Sequence, residues 1–464
     1  MPGNSKRQAE TTALKQPWEL TLADASEMIG KETLSPIELT RSVLDRISIV
    51  EPRVLAWART LPQQALAEAE RLDWLLRQGT NLGPLHGIPV GIKDIYYTAG
   101  VETAAGSKVL AGFIPAFDAS AVRRLQQAGA ILLGKTATTE FAYADPTVTR
   151  NPWNPNHTPG GSSSGSAAAV ATGMCLGAFG TQTGGSIVRP AAFCGVVGLK
   201  PTYGCVSRHG IIPFAWSLDH PGPIAKTVRD AALLLAAVAG SDPHDPSTAR
   251  RSVPSYVEGL QASPRGLTAG IADRYFPERS SPVVATAFQE SVRVLEKLGM
   301  RIREVKLPDC FEAGVDAGRV VMHAEGAAFH RDWYRTRSEE YGRKLSGLIE
   351  AGLVIPAASY LRAQQVRSMA IGAMRRLLTE VDVLVSPSTP GPAPEGLAST
   401  GDSVFNSPAS TFGFPALGVP MGFAPSGLPL GLQIMGRPFD ECTVLRVGAA
   451  YESATDWHIQ RPPL

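Results

Sequence analysis

Apolar positions at helical spacing open the chain. Leu39, Val43, Leu44 and Ile47 follow Ser35-Pro-Ile-Glu38. That run combines an N-cap serine, a proline at N1 and a glutamate at N3, the pattern of a capping box. The spacing predicts a helix there and a second over Pro62–Arg77, ended near Gly79. Residues 18–80 thus read as a helical layer, either packed on the rest of the chain or forming an interface, with packing the simpler reading.

From residue 84 short apolar runs alternate with helical stretches. Ile88–Ile92, Ala130–Leu133, Leu267–Ile271, Val381–Val385, Pro415–Gly422 and Leu430–Met435 read as strands. Ala119–Ala128, Ser166–Cys175 and Thr227–Val238 read as helices. The alternation predicts α/β architecture: one large domain, a mixed, mostly parallel twisted sheet between layers of helices. Residues 311–375 are helical, with Phe329, Trp333, Tyr334, Tyr341 and Tyr360 among charged residues. Two readings stay open for this variable segment, a cover near a substrate entrance or an ordinary packing layer. Pro387–Thr400 reads as a loop.

Met1–Pro17 is polar and lacks the apolar core of a signal peptide, so it reads as a disordered tail. Of 464 residues 44% are hydrophobic, ample for a large core, and the formal charge is +2. With no basic block, a nucleic-acid or membrane partner is not expected. No stretch of apolar residues is long enough to span a bilayer, so a cytoplasmic protein is expected. The five cysteines form no C-x-x-C pair and no Cys/His cluster. Neither a disulfide framework nor a metal site is expected, and Cys175 and Cys194 read as buried, inert thiols.

Two glycine-rich runs carry candidate chemistry. Pro159-Gly-Gly-Ser-Ser-Ser-Gly165 leads straight into an alanine-rich helix, unlike a flexible linker. Thr181-Gln-Thr-Gly-Gly-Ser186 lets successive N–H groups point at one spot beside the Ser186 hydroxyl. Such a turn can form an oxyanion hole. No Walker pattern accompanies either run. Lys93 ends the apolar run Gly87-Ile-Pro-Val-Gly-Ile92 and can act as a base if neutral. A free lysine titrates near about 10.4, so about one in 2,500 is neutral at pH 7, but burial lowers that value by several units. A Ser–His–Asp arrangement using His86, His157 or His209 is the rival, yet no G-x-S-x-G elbow surrounds Ser186.

Together the runs resemble the amidase signature family of serine hydrolases. The match covers residues 84–226 and resumes over 381–437. It includes Gly87-Ile-Pro-Val-Gly-Ile-Lys-Asp94, Gly160-Gly-Ser-Ser163, Thr183-Gly-Gly-Ser186, Gly198-Leu-Lys-Pro-Thr-Tyr-Gly204, Ser217-Leu-Asp219 and Gly427-Leu-Pro-Leu-Gly-Leu-Gln433. The resemblance implies Ser186 as nucleophile, Ser162 as a bridging serine after a cis peptide at Gly161, and Lys93 as base. It implies an oxyanion hole from the N–H groups of Thr183, Gly184, Gly185 and Ser186. Tyr143, Gly160 and Gly161 are expected to contact substrate. The chain departs from the family where aspartate is common, at Gln182, and where arginine is common, since Val188 precedes Arg189. Ser164 stands where glycine is frequent.

The implied activity is amide hydrolysis through an acyl-enzyme, with no cofactor. Tyr143 and the aromatics of 311–375 suggest apolar or aryl amides, with ester and carbamate (urethane) hydrolysis as further options. A monomer or homodimer acting on a small molecule is expected. The alternative is an amidotransferase A-type subunit in a complex with partner chains.

Overall fold

Among the described residues, eleven short runs of mostly buried residues pair edge to edge into one sheet. The computed structural model describes residues 16–464. The tail expected over 1–17 therefore lies outside the described residues apart from Gln16 and Pro17, and Pro17 opens a short 3-10 turn, Pro17–Glu19.

In chain order the strands are β1 (Trp57–Thr60), β2 (Pro89–Lys93), β3 (Ile131–Thr136), β4 (Gly177–Gln182), β5 (Val197–Lys200), β6 (His220–Ala225), β7 (Thr268–Ala272), β8 (Arg301–Val305), β9 (Val383–Pro387), β10 (Ala416–Phe423) and β11 (Pro429–Gly436). They lie in the order β1-β3-β2-β4-β6-β5-β10-β11-β9-β7-β8. The central strands β2, β4, β5, β6, β9 and β11 are buried at every position, as strands covered on both faces must be. The edges differ. Arg301, Arg303 and Glu304 leave β8 largely exposed, and charged edges resist pairing with another chain.

The single α/β domain with its mixed sheet matches the sequence reading, but the share of parallel pairs is smaller than expected. Among the described residues, only β2–β3, β2–β4, β7–β8 and β7–β9 run parallel, and the other six neighbouring pairs are antiparallel. The reason is local. β10 and β11 form a hairpin across the short Gly/Pro-containing turn after Phe423, and β6 runs antiparallel to both β4 and β5.

Residues 18–80 carry helices at both places read from the spacing, but the strand β1 lies between them. Ser35 and Glu38 exchange the two bonds of a capping box at the head of Pro36–Val54, whose Leu39, Val43 and Ile47 are buried. The second helix spans Pro62–Arg77. Residues 311–375 fall on three helices, Phe311–Arg337, Arg343–Leu353 and Ala357–Glu380. Trp333 on the first of them and Tyr341, between the first and second, pack against Phe141. His330 lies edge-on to it at 4.5 Å and Tyr341 stacks on it at 6.0 Å. Among the described residues, no helix is long and apolar enough to cross a membrane.

Candidate active site

The C-terminal end of β2 delivers Lys93 to the centre of the sheet. Its register against β4 sets Ile92 beside Phe179, so the lysine reaches toward Thr181 on the next strand. Lys93 Nζ donates to Thr181 Oγ1 at 2.9 Å and to Ser162 Oγ at 2.7 Å. Lys93 and Ser162 are fully buried. Burial holds the lysine pKa well below its usual value, and the charge of Asp219 opposes that shift.

Ser162 sits in the loop before the buried helix Ser164–Ala171, directly after a cis peptide between Gly161 and Ser162. Gly160 has a φ of +81°, and a Cβ there would meet Pro190 Cα at 2.8 Å, so a close backbone approach requires glycine. Ser163 stitches this loop to the second glycine-rich run. Its N–H donates to Ser186 O at 3.3 Å, and its hydroxyl accepts from Thr181 N at 3.3 Å. The structure thereby brings both runs and Lys93 to one place. Among the described residues, no direct hydrogen bond joins the Ser162 and Ser186 hydroxyls; their loops are joined through the Ser163 N–H.

Ser186 lies in the turn between β4 and the helix Val188–Cys194 and is 8% exposed. Among the described residues, the N–H groups of Thr183, Gly184, Gly185 and Ser186 donate to no protein acceptor. The next two N–H groups do. Ile187 and Val188 donate to Gln182 Oε1 at 2.9 and 3.0 Å. Arg189 is buried and binds carbonyls instead of a carboxylate. Its Nη2 donates to Gly161 O at 2.6 Å and its Nη1 to Gly401 O at 2.6 Å. Gln182 and Arg189, at two of the three departures from the family pattern, thus brace the turn and the Ser162 loop.

In the sequence Asp219 stands only within a family-like motif, with no role attached to it. In the structure it is buried, and it accepts from the Thr183 hydroxyl and from the N–H groups of Phe214 at 2.8 Å and Ala215 at 3.1 Å. Burial pushes its carboxyl up to about 6, against the hydrogen bonds that favour the ionised form. Thr181, the second lysine partner, is also absent from the sequence-based set. A threonine in a strand gives no local signal of the lysine it will meet.

Thr181 and Asp219 open onto a cavity of about 210 Å³ walled by Ile95, Ile212, Phe214 and Trp216. Tyr143 stands behind this wall, its ring stacked on Phe214 at 5.1 Å. The helix Phe311–Arg337 reaches the same region, because Glu325 accepts from Ser217 Oγ at 2.6 Å. The histidines are engaged elsewhere. His86 bonds Leu72 O at 3.0 Å, and His209 bonds Ser120 Oγ at 3.3 Å while lining the cavity. Among the described residues, no histidine hydrogen-bonds Ser162 or Ser186.

A single α/β domain with a lysine–serine pair beneath a glycine-rich turn is the architecture of an amide-bond enzyme. The family model described as Amidase matches residues 38–445, and the chain belongs to that family. It is 42% identical, over 96% of its length and 98% of the relative, to the A-type subunit of the glutamyl-tRNA(Gln) amidotransferase of Chloroflexus aurantiacus. Among solved structures it resembles a chain from a vestigial protein complex connected with the origins of an s-triazine catabolic enzyme. The TM-score is 0.90 at 32% identity, covering 96% of this chain and 100% of that one. It also resembles a peptide amidase bound to the competitive inhibitor chymostatin, with a TM-score of 0.84 at 35% identity, covering 96% and 99%.

These likenesses correct the expected partners. A monomer or homodimer serving only a small amide, ester or carbamate, with no nucleic acid, does not fit relatives named as subunits of an enzyme of glutamyl-tRNA. The physical reason is plain. Net charge and the absence of a basic block describe this chain alone, and one chain of a complex can leave recognition of a polyanion to the chains it joins.

Proposed function

We propose that this chain is the amide-hydrolysing A-type subunit of an amidotransferase, freeing ammonia from an amide donor for use with partner chains. The chemistry rests on one observation, the 2.7 Å hydrogen bond from fully buried Lys93 to Ser162. A lysine whose charged form is disfavoured by desolvation can serve as a base without a histidine. Membership of a larger complex is supported by 42% identity, across nearly the whole chain, to the Chloroflexus aurantiacus A-type subunit.

In this reading Ser186 Oγ attacks the amide carbon while its proton passes through Ser162 to Lys93. The free N–H groups of Thr183 to Ser186 hold the oxyanion. The C–N bond then breaks as the proton returns through Ser162 to the leaving nitrogen. Water cleaves the acyl-enzyme by the same relay. Tyr143, Gly160 and Gly161 shape the ground around the acyl group. The helices of 311–375 cover the entrance, and the cavity beside Asp219 receives the donor.

Reconstitution tests the proposal. The chain replaces its counterpart among the remaining subunits of the Chloroflexus aurantiacus enzyme, and glutamine-dependent amidation of glutamyl-tRNA(Gln) is followed. Co-elution and restored amidation are expected. A chain that elutes alone, restores nothing and yet turns over simple aryl amides efficiently overturns the amidotransferase reading.

A further inference from the structure

Gln182 is fully buried at the end of β4, directly before the turn that carries Ser186. Its side-chain amide has every polar atom engaged in a directed way. Oε1 accepts from Ile187 N and Val188 N. Nε2 donates to Ser410 Oγ at 3.0 Å, and Ser410 in turn donates to Gly184 O at 2.7 Å. Ser410 is itself fully buried, on the helix Ser407–Phe412.

The direction of this chain of bonds has a consequence at the reacting centre. A hydroxyl that accepts from an amide NH₂ has its own proton free to point onward, here at the Gly184 carbonyl. The peptide unit is planar and trans, so fixing that carbonyl fixes the Gly185 N–H on the opposite side of the same plane. The Gly185 N–H is one of the four donors left free in the turn. Gln182 also draws the Ile187 and Val188 N–H groups away, leaving the Thr183 to Ser186 donors as the unpaired set.

We infer that Gln182, acting through Ser410, is a positioning residue that aims the Gly185 N–H at the transition-state oxyanion. The inference rests on the reading of Ser186 as nucleophile. In this chain the relay uses an acceptor and a donor on one side chain, which the amide at position 182 supplies. A carboxylate would keep the bonds from Ile187 and Val188 but turn the Ser410 proton toward itself, leaving the Gly184 carbonyl without its donor.

Gln182→Glu, Ser410→Ala, the double variant and Ser186→Ala test this. The readouts are kcat and KM on a nitroanilide, the rate of fluorophosphonate labelling of Ser186, and thermal unfolding. Loss of a whole oxyanion donor costs about 10²–10³-fold in kcat, so misaiming one is expected to cost about 10–100-fold in kcat and labelling rate. KM should stay within about twofold, because the bond matters most in the transition state. The double variant should lose no more than either single one, since both break one relay. Multiplying losses, an effect confined to KM, or wild-type rates in folded Gln182→Glu overturn the inference. If Gln182→Glu does not fold, Ser410→Ala decides, and wild-type kcat and labelling there overturn it. Ser186→Ala keeps the two readings apart. Full turnover in that variant rejects the nucleophile reading itself, whereas its inactivity beside an unimpaired Gln182→Glu rejects only the role of Gln182.

Discussion

Lys93 Nζ donates to Ser162 Oγ across 2.7 Å inside a fully buried pair, with no salt bridge to Lys93 among the described residues. Its partners are hydroxyl and carbonyl oxygens. Burial without an ion pair drives the lysine pKa down, and only the more distant charge of Asp219 opposes it. Activity should therefore rise with pH along a limb well below 10.5 and plateau on the alkaline side. The check is kcat/KM across about pH 5 to 10 in the free enzyme. A flat profile, with chemistry shown to be rate-limiting, rejects the lysine base.

Asp219 offers a handle on that limb. Its ionised carboxylate favours protonated Lys93, so Asp219→Asn should shift the rising limb to lower pH. The side-chain oxygen of asparagine can still accept from Phe214 and Ala215, which preserves the loop. A limb that stays put, or moves to higher pH, removes Asp219 from the electrostatics of the lysine.

The same burial predicts a pH-dependent stability difference. Above about 10.5 the lysine is neutral in folded and unfolded chains alike, and its burial costs nothing in protonation. As pH falls toward the lowered folded value, the unfolded chain binds the extra proton and the folded state loses ground. Lys93→Met has no such titration. Its Tm relative to wild type should climb as pH is lowered from about 10 toward the depressed folded value, measured by calorimetry. A constant difference contradicts a depressed lysine.

Much of this was legible because it is local. The capping box at Ser35, the apolar run ending at Lys93 and the two glycine-rich runs are each complete within a short stretch of chain. β4 escapes a sequence reading because Gly177-Ala-Phe-Gly-Thr-Gln182 is rich in small residues and looks like part of the turn that follows it. β1 is four residues long, too short for a periodicity. The roles of Asp219 and Ser410 depend on contacts 36 and 226 residues away in the chain. Such pairings follow from sheet order, and no spacing rule reveals them. The partner expectation failed for a further reason, since composition carries no trace of the other chains in a complex.

Gly184 and Gly185 look equivalent in sequence but differ in space. A Cβ on Gly185 would meet Asn406 Oδ1 at 2.7 Å and Ser403 Cβ at 2.9 Å, whereas on Gly184 nothing lies closer than 3.5 Å. Gly185→Ala should cost about 1–3 kcal/mol of stability through overpacking. Gly184→Ala should stay within about 0.5 kcal/mol of wild type. Urea unfolding of the two variants checks the contrast, and equal stabilities would mean the turn is looser than its contacts indicate.

Amide and ester substrates separate the two tasks assigned to Lys93. An amide nitrogen leaves poorly unless it is protonated as the C–N bond breaks. A nitrophenyl ester expels an acidic alcohol and needs no such proton. If Lys93 both removes the Ser186 proton through Ser162 and returns it to the leaving nitrogen, Lys93→Ala must slow both substrates but slow the amide far more. General acid–base catalysis contributes about 10²–10⁴-fold, so the gap between the two losses should reach at least about tenfold. The measurement is kcat/KM for a matched aryl amide and nitrophenyl ester in both proteins, with acylation confirmed as rate-limiting, since slow deacylation would hide the difference. Ser162→Ala should reproduce the pattern, because among the described residues Lys93 reaches no other serine hydroxyl. Equal losses on the two substrates would leave Lys93 as a base for the first step alone and reject the return of the proton through Ser162.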